Sequence, residues 1–223
     1  MINISERLKT VADLVLKEKT NKVIDVGCDH AFLDIYLLQN NCNIKLVATD
    51  NKKAPLENAR KNIEKYSFLN KIELYLKDGI EKIDNDIDTV VIAGMGMETI
   101  VDILNRGKKE LEHINRLVLS SNNKYEELRK KVISLGFKIN EEVIVYEDNK
   151  YYIVIDFVKG YEEYAEEELF FGPKLLCRKD KLFYDYYNNI KNEDEFIISN
   201  IPFDNKKRKY LLNELELLNR ILK

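Results

Sequence analysis

What this chain lacks removes several classes of function at once. Its three cysteines, Cys28, Cys42 and Cys177, are odd in number and include no CxxC pair. That argues against a disulfide framework or a zinc knuckle and fits a reducing compartment. Histidine occurs twice, as His30 and His113, and a zinc centre needs three or four ligands, so no metal is expected. No apolar run approaches the roughly 20 residues that span a bilayer. The opening "MINISERLKT" has no apolar signal-peptide segment, so the expected location is cytoplasmic, with no membrane partner. Basic excess is missing too: the net charge is −3, and neither the first 160 residues nor the remainder is basic. A nucleic-acid site must then be a local patch. Finally, no GxGxxG fingerprint occurs, which removes the usual pyrophosphate turn of a dinucleotide site.

What is present reads as alternating strands and helices. Hydrophobic residues make up 45% and charged residues 34%, enough for a full core under a soluble surface. "SERLKTVADLVLKE" is an amphipathic helix with Ser5 as its N-cap. "KVIDVG", "KLVATD", "KIELYLKDG", "DTVVIAGMG" and "RLVLSS" are five apolar runs that read as strands, most of them followed by a helical pattern. That alternation predicts an α/β fold with a mostly parallel sheet. "FKINEEVIVYEDNKYYIVIDFVKG" then predicts an antiparallel terminal hairpin turning at "EDNK". Beyond residue 160, the Gly172-Pro173 breaker precedes two helical stretches joined across "NEDEFIISNIPFD". In the second stretch Leu211, Leu215, Leu218 and Leu222 form a coiled-coil seam. The expected domains are 1–160, the sheet domain, and 161–223, a helical hairpin appendage.

In open α/β sheets, ligands bind beyond the carboxyl ends of the strands. The residues there are Asp25, Gly27, Cys28, Asp29 and His30 after the first strand and Asp50 and Asn51 after the second. Asp78 and Gly79 follow the third, Ala93, Gly94, Met95 and Gly96 the fourth, and Ser120, Ser121 and Asn122 the fifth. Asp50, 23 residues after Gly27, is placed to accept hydrogen bonds from ribose hydroxyls. Asp78 suits an adenine amino group, and Gly27 allows close backbone approach. A helix that begins with Asp29 and His30 would repel a pyrophosphate and receive a cation. An adenosyl ligand bearing an amino acid and a sulfonium, S-adenosylmethionine, therefore fits better than NAD. Each aspartate alone could merely brace a helix N-terminus; three acids after three consecutive strands point to a ligand. Cys28 and His30, two apart in a turn, point away from each other, so Cys28 reads as a buried space-filler and not a nucleophile. Met95 and Met97 read as packing.

These residues resemble a known family. "DVGCDHAFLD", "KDG", "IAGMG", "LVLSSNNKYEELRKKVISLGF", "EDNKYY" and "FGPKLL" look like the bacterial TrmK-type tRNA methyltransferases, over nearly the whole chain. The chain departs from the family pattern at Cys28, usually serine, at Met97, usually glycine, and at Ser120-Ser121, usually Gln-Pro before the asparagine. The resemblance implies a Rossmann-like class I methyltransferase sheet that methylates N1 of adenine 22 in tRNA with S-adenosylmethionine. It places Gly27, Asp29, His30, Asp50, Asn51, Asp78 and Gly79 around the cofactor, with Ala93, Gly94, Met95 and Gly96 under the reacting methyl and Asn122 near the target base. Asp25 and Cys28 complete the expected cofactor loop, and Asp29, Met95 and Asn122 are the expected catalytic residues. Two basic clusters, "NKKRKY" at 205–210 and "RKK" at 129–131, are the expected grips on RNA; no obligate protein partner is evident. Two alternatives stay open: the same fold acting on a small molecule or protein, and a non-catalytic RNA-binding protein with a degenerate pocket.

Overall fold

The computed structural model describes residues 1–222. The chain divides into two compact units, Met1–Tyr164 and Ala165–Lys223.

The first unit is built on seven strands: β1 (Lys22–Val26), β2 (Lys45–Asp50), β3 (Ile72–Leu76), β4 (Thr89–Met95), β5 (Arg116–Ser121), β6 (Phe137–Glu147) and β7 (Lys150–Lys159). Their spatial order is β3-β2-β1-β4-β5-β7-β6. The first five run parallel; β7 pairs antiparallel with β5, and β6 with β7. Around them lie α1 (Glu6–Lys17), α2 (Phe32–Asn40), α3 (Lys53–Lys65), α4 (Met97–Arg106) and α5 (Tyr125–Ser134). The apolar runs are strands because both faces of a parallel sheet are covered. Val23, Leu46, Ala48, Val91 and Val118 join α1, α2 and α3 in one core cluster. Their neighbours along the strands, such as Ile24, Val90 and Leu117, are equally buried and face the other side.

One buried ion pair fixes α1 on the sheet. Arg116 donates from Nε and Nη2 to the two oxygens of Asp156 at 2.6 and 3.0 Å, and from Nη1 to the Val15 carbonyl at 3.3 Å. The C-terminal carbonyls of α1 thus find their donors in the sheet. The consequence reaches the other end of the helix, where Arg7 stands.

Two local expectations change in the first unit. The helix after β1 begins at Phe32, not at Asp29 and His30, because Asp29 (φ 49°) and Ala31 (φ 55°) are left-handed. The turn is instead closed by the Ala31 N–H to the Cys28 carbonyl (2.8 Å) and by Asn62 Nδ2 to the His30 carbonyl (3.0 Å). The "RKK" cluster is not a basic surface. Arg129 is fully buried and donates to Glu142 at 2.7 Å, while Lys130 pairs with Glu126 one turn earlier.

The second unit holds α6 (Glu166–Phe171), α7 (Pro173–Arg178), α8 (Lys181–Asn200) and α9 (Lys206–Ile221). Here α8 continues through "NEDEFIISN", a stretch expected to be a connection, so only residues 201–205 link it to α9. Asp180 caps α8 by accepting from the Phe183 N–H at 3.0 Å, and Asn205 caps α9 by accepting from Lys207 N–H at 2.9 Å. The two helices pack together; Leu211 and Leu218 are buried, while Leu215 and Leu222 are half-buried. Among the described residues no helix is long and apolar enough to cross a membrane.

Candidate active site

A cavity of about 410 Å³ opens at the carboxyl ends of β1, β2 and β4. This is where strand order reverses, with β2 on one side of β1 and β4 on the other, and such a switch point is where these sheets bind ligands. Its walls are Arg7 and Leu8 from α1, and Asp25, Gly27, Cys28, Asp29 and His30 from β1 and its turn. Phe32 and Leu33 come from α2, Asp50, Asn51, Lys52 and Pro55 from the end of β2 and the start of α3, and Ala93, Gly94 and Met95 from β4. A larger depression of about 690 Å³ lies at the opposite, amino-terminal ends of β2 and β3, against residues 42–46 and 69–75.

The turn after β1 is held rigidly. The N–H groups of Gly27 and Cys28 both donate to the Thr49 carbonyl, at 2.8 and 2.9 Å. Gly27 has φ +79°, and a Cβ there would fall on the Met95 methyl; this is a position only glycine fills without strain. Asp29 and His30 are open to solvent and approach each other, with Nε2 to Oδ2 at 3.5 Å. The His30 ring stacks on Phe32 at 5.3 Å. Cys28 is buried, and burial pushes its thiol well above the usual range, so no thiolate is available as a nucleophile. Burial likewise pushes the Asp25 carboxyl up, to about 7. Among the described residues no three His, Cys, Asp or Glu side chains are grouped as metal ligands would be.

At β4 the sheet register shifts between Ala93 and Met95, a bulge with Gly94 at φ +83°. Bulges re-aim the chain next to binding sites. Here the bulge frees the Gly94 carbonyl to accept from Asn122 Nδ2 at 2.8 Å, and the Met95 carbonyl accepts from the Asn122 N–H at 2.9 Å. Asn122 is thereby tied to the β4 loop. Gly96 is the N-cap of α4. Ser121 Oγ donates to the Asn123 carbonyl at 2.8 Å, so the Ser-Ser-Asn loop is braced by its own hydroxyl.

Four expected residues stand outside the lining of this cavity: Asp78, Gly79, Gly96 and Asn122. Asp78 pairs with Arg106 at 3.3 Å, and Gly79 (φ +87°) backs on Ile103 and the same arginine, so α4 holds that loop. Asp50 uses one oxygen to accept from the Lys52 N–H at 2.9 Å.

Three residues escaped the sequence reading. Arg7 lines the cavity, lies 4.6 Å above the Tyr152 ring and donates to Asn122 Oδ1 at 3.4 Å. Its Nε is buried without a partner. The signal was a charge in register with Val11 and Leu14 on the buried stripe of α1. Asn123 accepts from the Met97 N–H at 3.1 Å and so joins the β5 loop to α4. Asp34, in the first turn of α2, is completely buried; as a polar residue in a helical pattern it gave no signal.

A family model for a methyltransferase domain matches residues 4–155. The chain is also similar to M. capricolum TrmK, solved with the cofactor product S-adenosyl-homocysteine. The two are 32% identical, with a TM-score of 0.87 over 98% of this chain and 97% of that one. The chain belongs to the TrmK family of methyltransferases. Two further proteins align with it along nearly their whole length. One is the tRNA (adenine(22)-N(1))-methyltransferase of Bacillus subtilis, 27% identical over 99% of this chain and 98% of the relative. The other is Streptococcus pneumoniae Sp1610, solved with S-adenosyl-L-methionine. It is 28% identical, with a TM-score of 0.90 over 99% of this chain and 100% of that one. The TrmK likeness therefore extends past the methyltransferase domain into the helices beyond residue 165.

Proposed function

We propose that this chain methylates N1 of adenine 22 in tRNA, with S-adenosylmethionine as the methyl donor. The observation that carries the reading is the convergence of Arg7, Asp25, Gly27 and Asp50 on one cavity at the β1/β4 switch point, in a chain similar to TrmK proteins throughout. The donor set fits the cofactor. Arg7 suits the carboxylate of its methionine part, Asp50 the ribose hydroxyls, and the acidic floor at Asp25 its cationic groups. The close-approach turn at Gly27 leaves room that any side chain would fill. Asp78 keeps its assignment to the adenine amino group, with Gly79 beside it, and Asn51 flanks Asp50. Residues 1–160 carry this cofactor site.

Bound S-adenosylmethionine supplies an electrophilic methyl: the N1 lone pair forms the new C–N bond as the C–S bond breaks, leaving a thioether and a cationic base. What remains for the protein is placement, worth several kcal/mol when the reacting atoms are held in line. In this reading Met95 and Gly96 floor the reacting centre, and Asn122, fixed between two β4 carbonyls, contacts the target base. Asp29 and the β4 carbonyls face the developing positive charge. N1 lies on the pairing edge, so the adenine must be unpaired or flipped out; the His30–Phe32 stack offers it an aromatic surface. Lys206, Lys207 and Lys209 of α9 contact the tRNA backbone. Arg208 has a different task, bracing the helical connection by donating to the Ile198 carbonyl at 2.6 Å and lying over Phe203. A tRNA substrate is consistent with the expected cytoplasmic location.

The test uses purified protein, unmodified tRNA and isotope-labelled S-adenosylmethionine, followed by nuclease digestion and nucleoside mass spectrometry. Labelled 1-methyladenosine, lost in Asp29→Ala, is the expected result. A different labelled nucleoside would move the target. Cofactor binding with no label in RNA would replace this reading with a small-molecule or protein substrate.

A further inference from the structure

Asp34 is the buried acid that the mechanism above does not use. It lies among Leu33, Ile35, Leu37 and Leu38 of α2, all buried, and is itself 0% exposed. No donor from another residue serves either of its carboxyl oxygens; only its own backbone N–H favours the charged form. What stands against it is the carboxyl of Asp25, whose other side faces the cavity. Two buried carboxyl groups held against each other repel unless one of them carries a proton. The position in the first turn of a helix favours negative charge on Asp34, but complete burial opposes it and dominates, so Asp34 is the member that keeps its proton.

We propose that Asp34 is a positioning residue for the methyl donor: protonated, it donates its carboxyl hydrogen to Asp25 and holds that carboxylate beneath the cavity, so that donor affinity follows the ionisation of Asp25. The proposal rests on the reading of the cavity as the S-adenosylmethionine site. A cationic ligand binds the ionised Asp25 better than the neutral acid. Affinity therefore rises with pH, and below the midpoint binding releases a proton. Burial sets that midpoint at about 7, the hydrogen bond from Asp34 lowers it, and the Asp50 charge raises it. The other titratable side chains around the cavity are Arg7 from α1, Cys28, Asp29 and His30 from the turn, and Lys52 beyond β2. His30 stands beside Asp29 on the same turn, so the series below is repeated with His30→Gln.

Two measurements test this on the full chain. Infrared difference spectra of the ligand-free protein at pH 8 should show a protonated-carboxyl band that Asp34→Asn and Asp34→Leu both lose. Calorimetric titration with S-adenosylmethionine should give about tenfold tighter binding at pH 8 than at pH 6, the linkage of one proton with a midpoint near 7. In Asp34→Asn the amide N–H replaces the carboxyl hydrogen, so the midpoint should stay or fall. In Asp34→Leu the donor is gone, so the midpoint should rise and binding at pH 7 should weaken, with the gap closing at higher pH. A merely structural Asp34 would weaken binding equally at every pH. The same midpoint in all three proteins, or no carboxyl band, would overturn the proposal. The band without any binding would instead overturn the cofactor reading, and with it the link between the pair and the ligand.

Discussion

Replacing Gly27 with alanine isolates what the turn after β1 contributes. Gly27 sits at φ +79°, where an L-residue costs about 1–2 kcal/mol. The turn cannot relax to escape that cost, because the Gly27 and Cys28 N–H groups are both committed to the Thr49 carbonyl. The added methyl also meets the Met95 methyl, and driving a flexible side chain off its rotamer costs about 0.5–1.5 kcal/mol. A stiffer unfolded chain returns about 0.5 kcal/mol. Gly27→Ala should then lose about 1–3 kcal/mol in urea denaturation. Binding of S-adenosylmethionine should weaken about tenfold or more, because the added methyl and the displaced Met95 side chain take up room in the cavity both residues line; a factor of ten corresponds to about 1.4 kcal/mol. The steric and dihedral parts separate in a double-mutant cycle: in a Met95→Ala background the steric part should vanish and the dihedral part remain. Equal losses in both backgrounds would refute the Met95 contact. An unchanged affinity for the donor would refute the placement of Gly27 at its site.

Other perturbations reach other parts of the argument. Asp156→Ala leaves Arg116, 6% exposed beside a partner at 1%, as an uncompensated buried charge; a loss of about 3–5 kcal/mol in chemical denaturation is expected, and a loss below 1 would mean that the α1 carbonyls suffice. Burial raises the Asp194 carboxyl to about 6, so between its ordinary value of 3.8 and that point the folded state binds more protons than the unfolded one. Stability contributed by the protonated form is lost as pH rises through that window, and Asp194→Asn should raise the denaturation midpoint at pH 8 but not at pH 4. Changing Lys206, Lys207 and Lys209 together to alanine should weaken tRNA binding more at low salt than at high salt and flatten the salt slope by up to about 0.9 per lost phosphate contact; a filter-binding series with parallel slopes would remove α9 from the RNA surface.

The parts that were legible from sequence share one property: their signal is local. Five apolar runs, each ending in small or acidic residues, gave the parallel strands and the rim, since a buried strand and the loop after it are contiguous in the chain. The hairpin was legible because "EDNK" interrupts two strand-like runs without a helix between them. The helix start at Phe32 was not, because nothing in "CDHAF" marks Ala31 as left-handed; that conformation depends on the Asn62 side chain, 32 residues away, holding the His30 carbonyl. The "NEDEF" stretch reads as a linker by polarity alone, yet its charges largely fall on the open face of a continuous helix.

The same distinction separates sequence clusters from spatial ones. Arg129, Lys130 and Lys131 are adjacent in the chain, but a helix turns about 100° per residue, so one of the three must face inward. The inward one is Arg129, because Glu142 waits for it on β6, and the expected basic patch dissolves into a core ion pair. Arg7 moves the opposite way. It looks like an ordinary surface charge, and it becomes a wall of the cavity because Arg116 and Asp156, more than a hundred residues downstream, anchor the far end of its helix. Asp34 follows the same logic: only the fold, by bringing α2 back over β1, turns a polar residue in a helical pattern into the partner of Asp25. Loop motifs are thus legible along the chain, while the charges of Arg7 and Asp34 reach the cavity and Asp25 only through long-range packing.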